Sequence, residues 1–188
     1  MFLSKWGSLR HAANAAFICL TAANYGVGDR KNYTEFSVSQ LDYMLGLVEG
    51  GHSFVVGMCA LMLENGWDMI LTNMIKNIKN HQKQLGYGEN PPEKPHHAAS
   101  SCPPRPKVCD WSSFSSPGPN PHVLEGALVG GIIQCMILAL ISLKLGPDNA
   151  EDKWNDDRAD YVTNEVSLDY NAGYSSLIAG VIEIMINL

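Results

Sequence analysis

Between Trp154 and Glu165 the chain sets four carboxylates, three asparagine or arginine side chains and two aromatics in one unbroken run. That run limits what this part of the chain can fold into. On one continuous helix, Asp156 and Glu165 would fall on opposite sides, because nine residues are two and a half turns. The two carboxylates can serve one site only if Asp156 sits on a loop ahead of the helix. Carboxylates beside aromatics are the materials of sugar hydrolysis. An aromatic face stacks on a pyranose ring, and a shielded carboxyl keeps its proton near neutral pH, ready for a glycosidic oxygen. The alternative is a solvated acidic loop capping a C-terminal helix.

The rest of the chain reads as helices separated by long loops. From about Gly7 to Asn24 apolar side chains recur at helical spacing, with Ala12, Ala13, Ala15, Ala16, Phe17 and Leu20 forming a small-residue face. The Gly26-Val27-Gly28-Asp29 run ends that helix. Phe36 to Leu47 is expected to be a second helix, with Leu41, Met44 and Leu45 on one side. Glu89 to Asn120, dense in Pro, Ser and His, is loop. Tyr161 to about Ile186 is expected to be the final helix. The fold class is therefore all-α. A chain of 188 residues with 46% hydrophobic content can bury one core. A net charge of −6, with no basic stripe interleaved with aromatics, argues against a nucleic-acid partner. Met1 to Trp6 lacks the apolar core and small-residue cleavage site of a signal peptide. No zinc-type spacing occurs, and no metal or cofactor is expected.

The order of residues in the acidic run gives more. Trp154, Asp156, Tyr161, Glu165, Ser167, Asn171 and Ala172 fill every slot of a pattern that resembles the C-terminal active-site signature of glycoside hydrolase family nine, the inverting cellulases. Asn90-Pro91-Pro92-Glu93-Lys94-Pro95-His96-His97, then Ala99 to Pro103, resembles the family's histidine loop. Lys5 to Gly46 and Asp110 to Gly131 continue the likeness, through Trp6-Gly7-Ser8-Leu9-Arg10 and Asp42-Tyr43-Met44-Leu45-Gly46. It is densest to the animal members and covers roughly three quarters of the chain.

The resemblance implies a barrel of six helix pairs, of which about five or six helices fit here. The expected architecture is thus a partial (α/α)6 barrel, the C-terminal part of one catalytic domain, with long active-site loops. Two segments, 58–86 and 132–146, interrupt the likeness. Removing them joins Val-Val-Gly to Tyr-Gly and Gly-Gly to Pro-Asp. Each follows a Gly, begins with a residue whose codon starts with AT and ends in Leu-Gly, the pattern of an intron read through in frame. A membrane span is not expected of the second, since about 14 residues cannot cross roughly 30 Å of hydrocarbon as a helix. The resemblance also implies secretion of the parent protein. That favours a disulfide between Cys102 and Cys109 over two free thiols.

By resemblance Glu165 is the general acid, with Tyr161 one turn earlier and Val166 beside it to shield its proton. Asp156 supports the site, and His96 binds substrate or orients the catalytic water. His97, Trp111, Trp154 and Tyr161 are the expected sugar contacts. Arg158 and Asp160 read as an ion pair or a cap. The implied partner is cellulose or another β-1,4-glucan, with neither nucleic acid nor membrane, and the implied activity is endo-β-1,4-glucanase with inversion. Two departures stand against it. Ala98 occupies the place of the family's arginine, and no Asp-Ala-Gly-Asp, the family's source of the catalytic base, occurs in the sequence. The alternatives are a non-catalytic glucan-binding remnant and a mispredicted gene product.

Overall fold

The computed structural model describes residues 4–46, 52–57, 90–132 and 154–186. Segment 58–86 and nearly all of 132–146 lie outside the described residues. Helix α1 (Ser8–Asn24) and helix α2 (Arg30–Met44) pack side by side, and α1 also packs along the C-terminal helix, Leu168–Ile186. Leu9, Ala12, Ala13, Ala16, Leu20 and Ala23 are buried on α1, three or four residues apart, so the small-residue face is where its neighbours approach. Phe17 lies at the edge of that face and is exposed. Helix α1 ends at Tyr25 and Gly26, as the glycine run implied.

Helix α2 begins six residues before the expected start. Asp29 caps it, accepting the Asn32 N–H at 3.1 Å, and Arg30 to Glu35 add a polar first turn that apolar periodicity cannot reveal. The loop dense in Pro, Ser and His contains two single-turn helices, α3 (Ala98–Ser101) and α4 (Trp111–Phe114). Cys102 and Cys109 are disulfide-bonded between them.

The final helix, α5, runs Leu168–Ile186, seven residues shorter than expected. Asp160 is the cause. Its Oδ1 accepts the N–H groups of Val162 and Thr163, and its Oδ2 the Thr163 hydroxyl, so the side chain offers the backbone a turn in place of a helix. Beyond that turn the chain is extended. Val166 bridges antiparallel to Val129, Glu165 bridges parallel to His96, and Val55 bridges antiparallel to Leu128. Gly130 makes the close approach possible: a Cβ there would stand 2.6 Å from the Val162 carbonyl oxygen. Gly131 N–H donates to Thr163 O at 2.9 Å, while Gly130 O accepts the Leu9 N–H at 3.1 Å. The glycine turn thus ties the start of α1 to the acidic segment.

Candidate active site

Asp156 and Glu165 both lie outside any helix, on the stretch leading into α5. Asp156 clasps the histidine loop. Its Oδ2 accepts the Glu93 N–H at 2.8 Å, and both its oxygens accept the Lys94 N–H, at 3.0 and 3.1 Å. One turn of chain later, His96 N–H donates to Asn164 O at 2.8 Å, which sets His96 beside Glu165. The His96 ring is held from below. Nδ1 lies 2.6 Å from the Arg158 carbonyl, which can only accept, so Nδ1 carries the proton, and among the described residues no hydrogen bond reaches Nε2. Phe114 and Tyr161 meet this ring edge-on, at 6.3 and 6.1 Å.

Tyr161 does not stack one helical turn before Glu165, because no helix runs between them. Half exposed, it packs against Trp6 at 5.1 Å between ring centroids. The Glu165 carboxylate meets Trp6 Nε1 and the Tyr170 hydroxyl, each at 2.8 Å. Burial, then the contact with Glu165, pushes the Tyr170 phenol well above the usual tyrosine range, so its hydroxyl stays a donor. Neither Trp6 nor Tyr170 stood out in the sequence as a site residue. Trp6 lies 159 residues from Glu165, and no local spacing encodes that contact.

An open cleft of about 460 Å³ lies alongside, lined by His96, His97, Ala98, Trp111, Phe114 and the Cys102–Cys109 pair among others. Trp111 is 80% exposed, edge-on to Phe114 at 5.7 Å, and presents a free ring face. At its foot Asp110 caps α4 through Ser112, and those hydrogen bonds hold its carboxyl below the usual range. Ala98, the first residue of α3, is part of this wall. Trp154 is placed elsewhere. It packs edge-on to Phe54 at 5.7 Å and near His52 at 6.3 Å, against the core rather than in the cleft.

Arg158 and Asp160 do not pair. Asp160 is the turn cap described above. Arg158 is 4% exposed, and its guanidinium donates to the Asn120 side chain and to the carbonyls of Phe114, Ser116 and Gly118.

Comparison with known proteins gives the family and the fold. The sequence profile of glycosyl hydrolase family 9 matches residues 1–178. Endoglucanase A of Bacillus pumilus is 33% identical over 187 residues, 97% of this chain and 20% of that protein. The chain thus spans about a fifth of that relative's length. Among solved structures, the endoglucanase of the termite Nasutitermes takasagoensis superposes with a TM-score of 0.67 at 41% identity, covering 100% of this chain and 32% of the other. The cellulase Cel9M of C. cellulolyticum, solved in complex with cellobiose, gives 0.62 at 27% identity, covering 97% and 30%. The fold shared with these enzymes is the (α/α)6 barrel, of which this all-α chain forms a part. Among the described residues, no helix is long and apolar enough to cross a membrane.

Proposed function

The chain belongs to glycosyl hydrolase family 9, and on that footing we propose that it is the C-terminal part of a secreted endo-β-1,4-glucanase domain that cleaves cellulose with inversion. The observation that carries this reading is the joining of the acidic segment to the histidine loop. Asp156 holds the backbone of Glu93 and Lys94, Asn164 holds that of His96, and Glu165 comes to rest beside His96. In this reading Glu165 is the general acid that protonates the leaving glycosidic oxygen. His96 Nε2 meets a sugar hydroxyl or the attacking water. Trp111 offers a stacking face and His97 a hydrogen-bonding edge, with Tyr161 at the margin. Trp154 and Asp156 support the site from behind. The carboxylate base, for which this sequence holds no Asp-Ala-Gly-Asp, comes from the remainder of the domain.

The test is made on the chain joined to the upstream part of its domain, with 58–86 and 132–146 removed. Glu165→Gln keeps the shape of the side chain and cannot yield a proton. Hydrolysis of cellulose should fall by roughly 10²–10⁴-fold while binding persists. Undiminished turnover would overturn the assignment of Glu165. A second reading, a glucan-binding remnant without turnover, is favoured by Ala98 in the cleft wall. A guanidinium there would add a fork of donors for sugar hydroxyls. Binding without hydrolysis in the completed domain would select that reading.

A further inference from the structure

Both hydrogen bonds that reach the Glu165 side chain land on one oxygen, Oε2: the Trp6 indole N–H at 2.8 Å and the Tyr170 hydroxyl at 2.8 Å. Among the described residues none reaches Oε1. An indole nitrogen can only donate. An oxygen accepting two such bonds cannot also present its own proton to them, so in the protonated carboxyl Oε2 is the carbonyl oxygen and the proton resides on Oε1. Resting on the reading of Glu165 as general acid, we propose that Trp6 is a positioning residue which, with Tyr170, fixes Oε1 as the proton-delivering oxygen.

The fold holds Trp6 in this place from three sides. Gly7 turns the chain at a φ of 61° and lies flat on Tyr170, where a Cβ would stand 2.9 Å from the ring. The Trp6 ring leans on Tyr161, which in turn meets His96. Arg10, in the first turn of α1, sits 5.0 Å over the Tyr170 ring and pairs with Asp169 at 2.7 Å, locking the start of α1 to the start of α5. In the reaction the Oε1 proton passes to the glycosidic oxygen as the bond from that oxygen to the anomeric carbon breaks and its electron pair goes to the leaving hydroxyl. Water attacks the anomeric carbon and gives its proton to the carboxylate base. The charge left on Glu165 is then shared with an oxygen already bonded to two donors.

The experiment uses Trp6→Phe in the completed domain, which removes the N–H and keeps a ring against Tyr161. On cello-oligosaccharides kcat should fall about 10- to 100-fold with KM within about twofold. On dinitrophenyl β-cellobioside, whose leaving group needs no proton, the rate should be unchanged, which also shows that the variant is folded. Trp6→His, which can donate an N–H, should recover part of the loss. An equal loss on both substrates, or no loss on either, overturns the proposal. Glu165→Gln is run beside it. If that variant keeps full activity, the reading of Glu165 fails; if it is inactive while Trp6→Phe behaves as wild type, only the positioning role fails. Independently of activity, the indole N–H resonance of Trp6 should move in Glu165→Ala and stay in Asp156→Ala. A resonance unmoved by Glu165→Ala would remove the hydrogen bond and the proposal with it.

Discussion

At the scale of single residues, Arg158 shows how one buried charge can join the loops around a cleft. Its guanidinium donates to the Asn120 side chain and to three backbone carbonyls between Phe114 and Gly118, and its own carbonyl accepts from His96. Asn120 passes the tie on, donating to Pro95 O at 2.9 Å and to the Ser100 hydroxyl at 2.8 Å. The acidic segment, the histidine loop and the wall carrying Trp111 are therefore joined through one planar fork. Lysine cannot reproduce it, because a single ammonium on a flexible stem does not span acceptors on opposite edges of a guanidinium. Arg158→Lys should destabilise the completed domain by about 3 kcal/mol or more, read by thermal unfolding, since several buried acceptors lose their donors. A melting temperature equal to that of the parent would contradict this account.

The elements differ in how openly their limits are written in the chain. Helix α1 is legible because small residues recur along one face and glycine follows. Helix α5 is not legible at its start: the apolar pattern continues back to Tyr161, but Asp160 wins the local backbone for a turn, and the following residues pair with His96 and Val129. Helix α2 carries a pH dependence. Burial pushes the Asp42 carboxyl up to about 6, against roughly 3.9 in an unfolded chain. The native state then holds this proton where the unfolded state has lost it. The contribution is intact below about pH 4, declines as pH rises, and is gone above about pH 6. The difference amounts to roughly 2–3 kcal/mol. Asp42→Asn should therefore flatten the loss of stability between pH 4.5 and 7.5 on the order of that amount. Urea unfolding of the completed domain at the two pH values measures it, and an unchanged slope would refute it.

For the whole molecule the question is what a third of the termite enzyme's length can do. Leu168 is 92% exposed, Ile186 74% and Ile18 64%, on the two helices that pack on each other in the described residues. Apolar side chains left in water on that scale go with association or aggregation. The 188-residue chain by itself is expected to be poorly soluble and to release no reducing sugar from carboxymethylcellulose. A soluble monomer with activity above blank would refute this, and Asp156, Asp157 and Asp160 would then be the carboxylates to test as base. All three already hold backbone, Asp156 on the histidine loop, Asp157 through the Ala159 N–H and Asp160 in its turn.

What the sequence determined by itself is local. Helical periodicity gave α1, the order of residues from Trp154 to Ala172 gave the family, and the nine-residue interval placed Asp156 off the helix. These are read over distances at which a few side chains set the backbone. The pairing of His96 with Glu165, the packing of Trp154 against Phe54, the carbonyl cage around Arg158 and the reach of Trp6 across 159 residues were decided only by the tertiary structure. Contacts between segments far apart in sequence are fixed by packing, and no spacing along the chain records them.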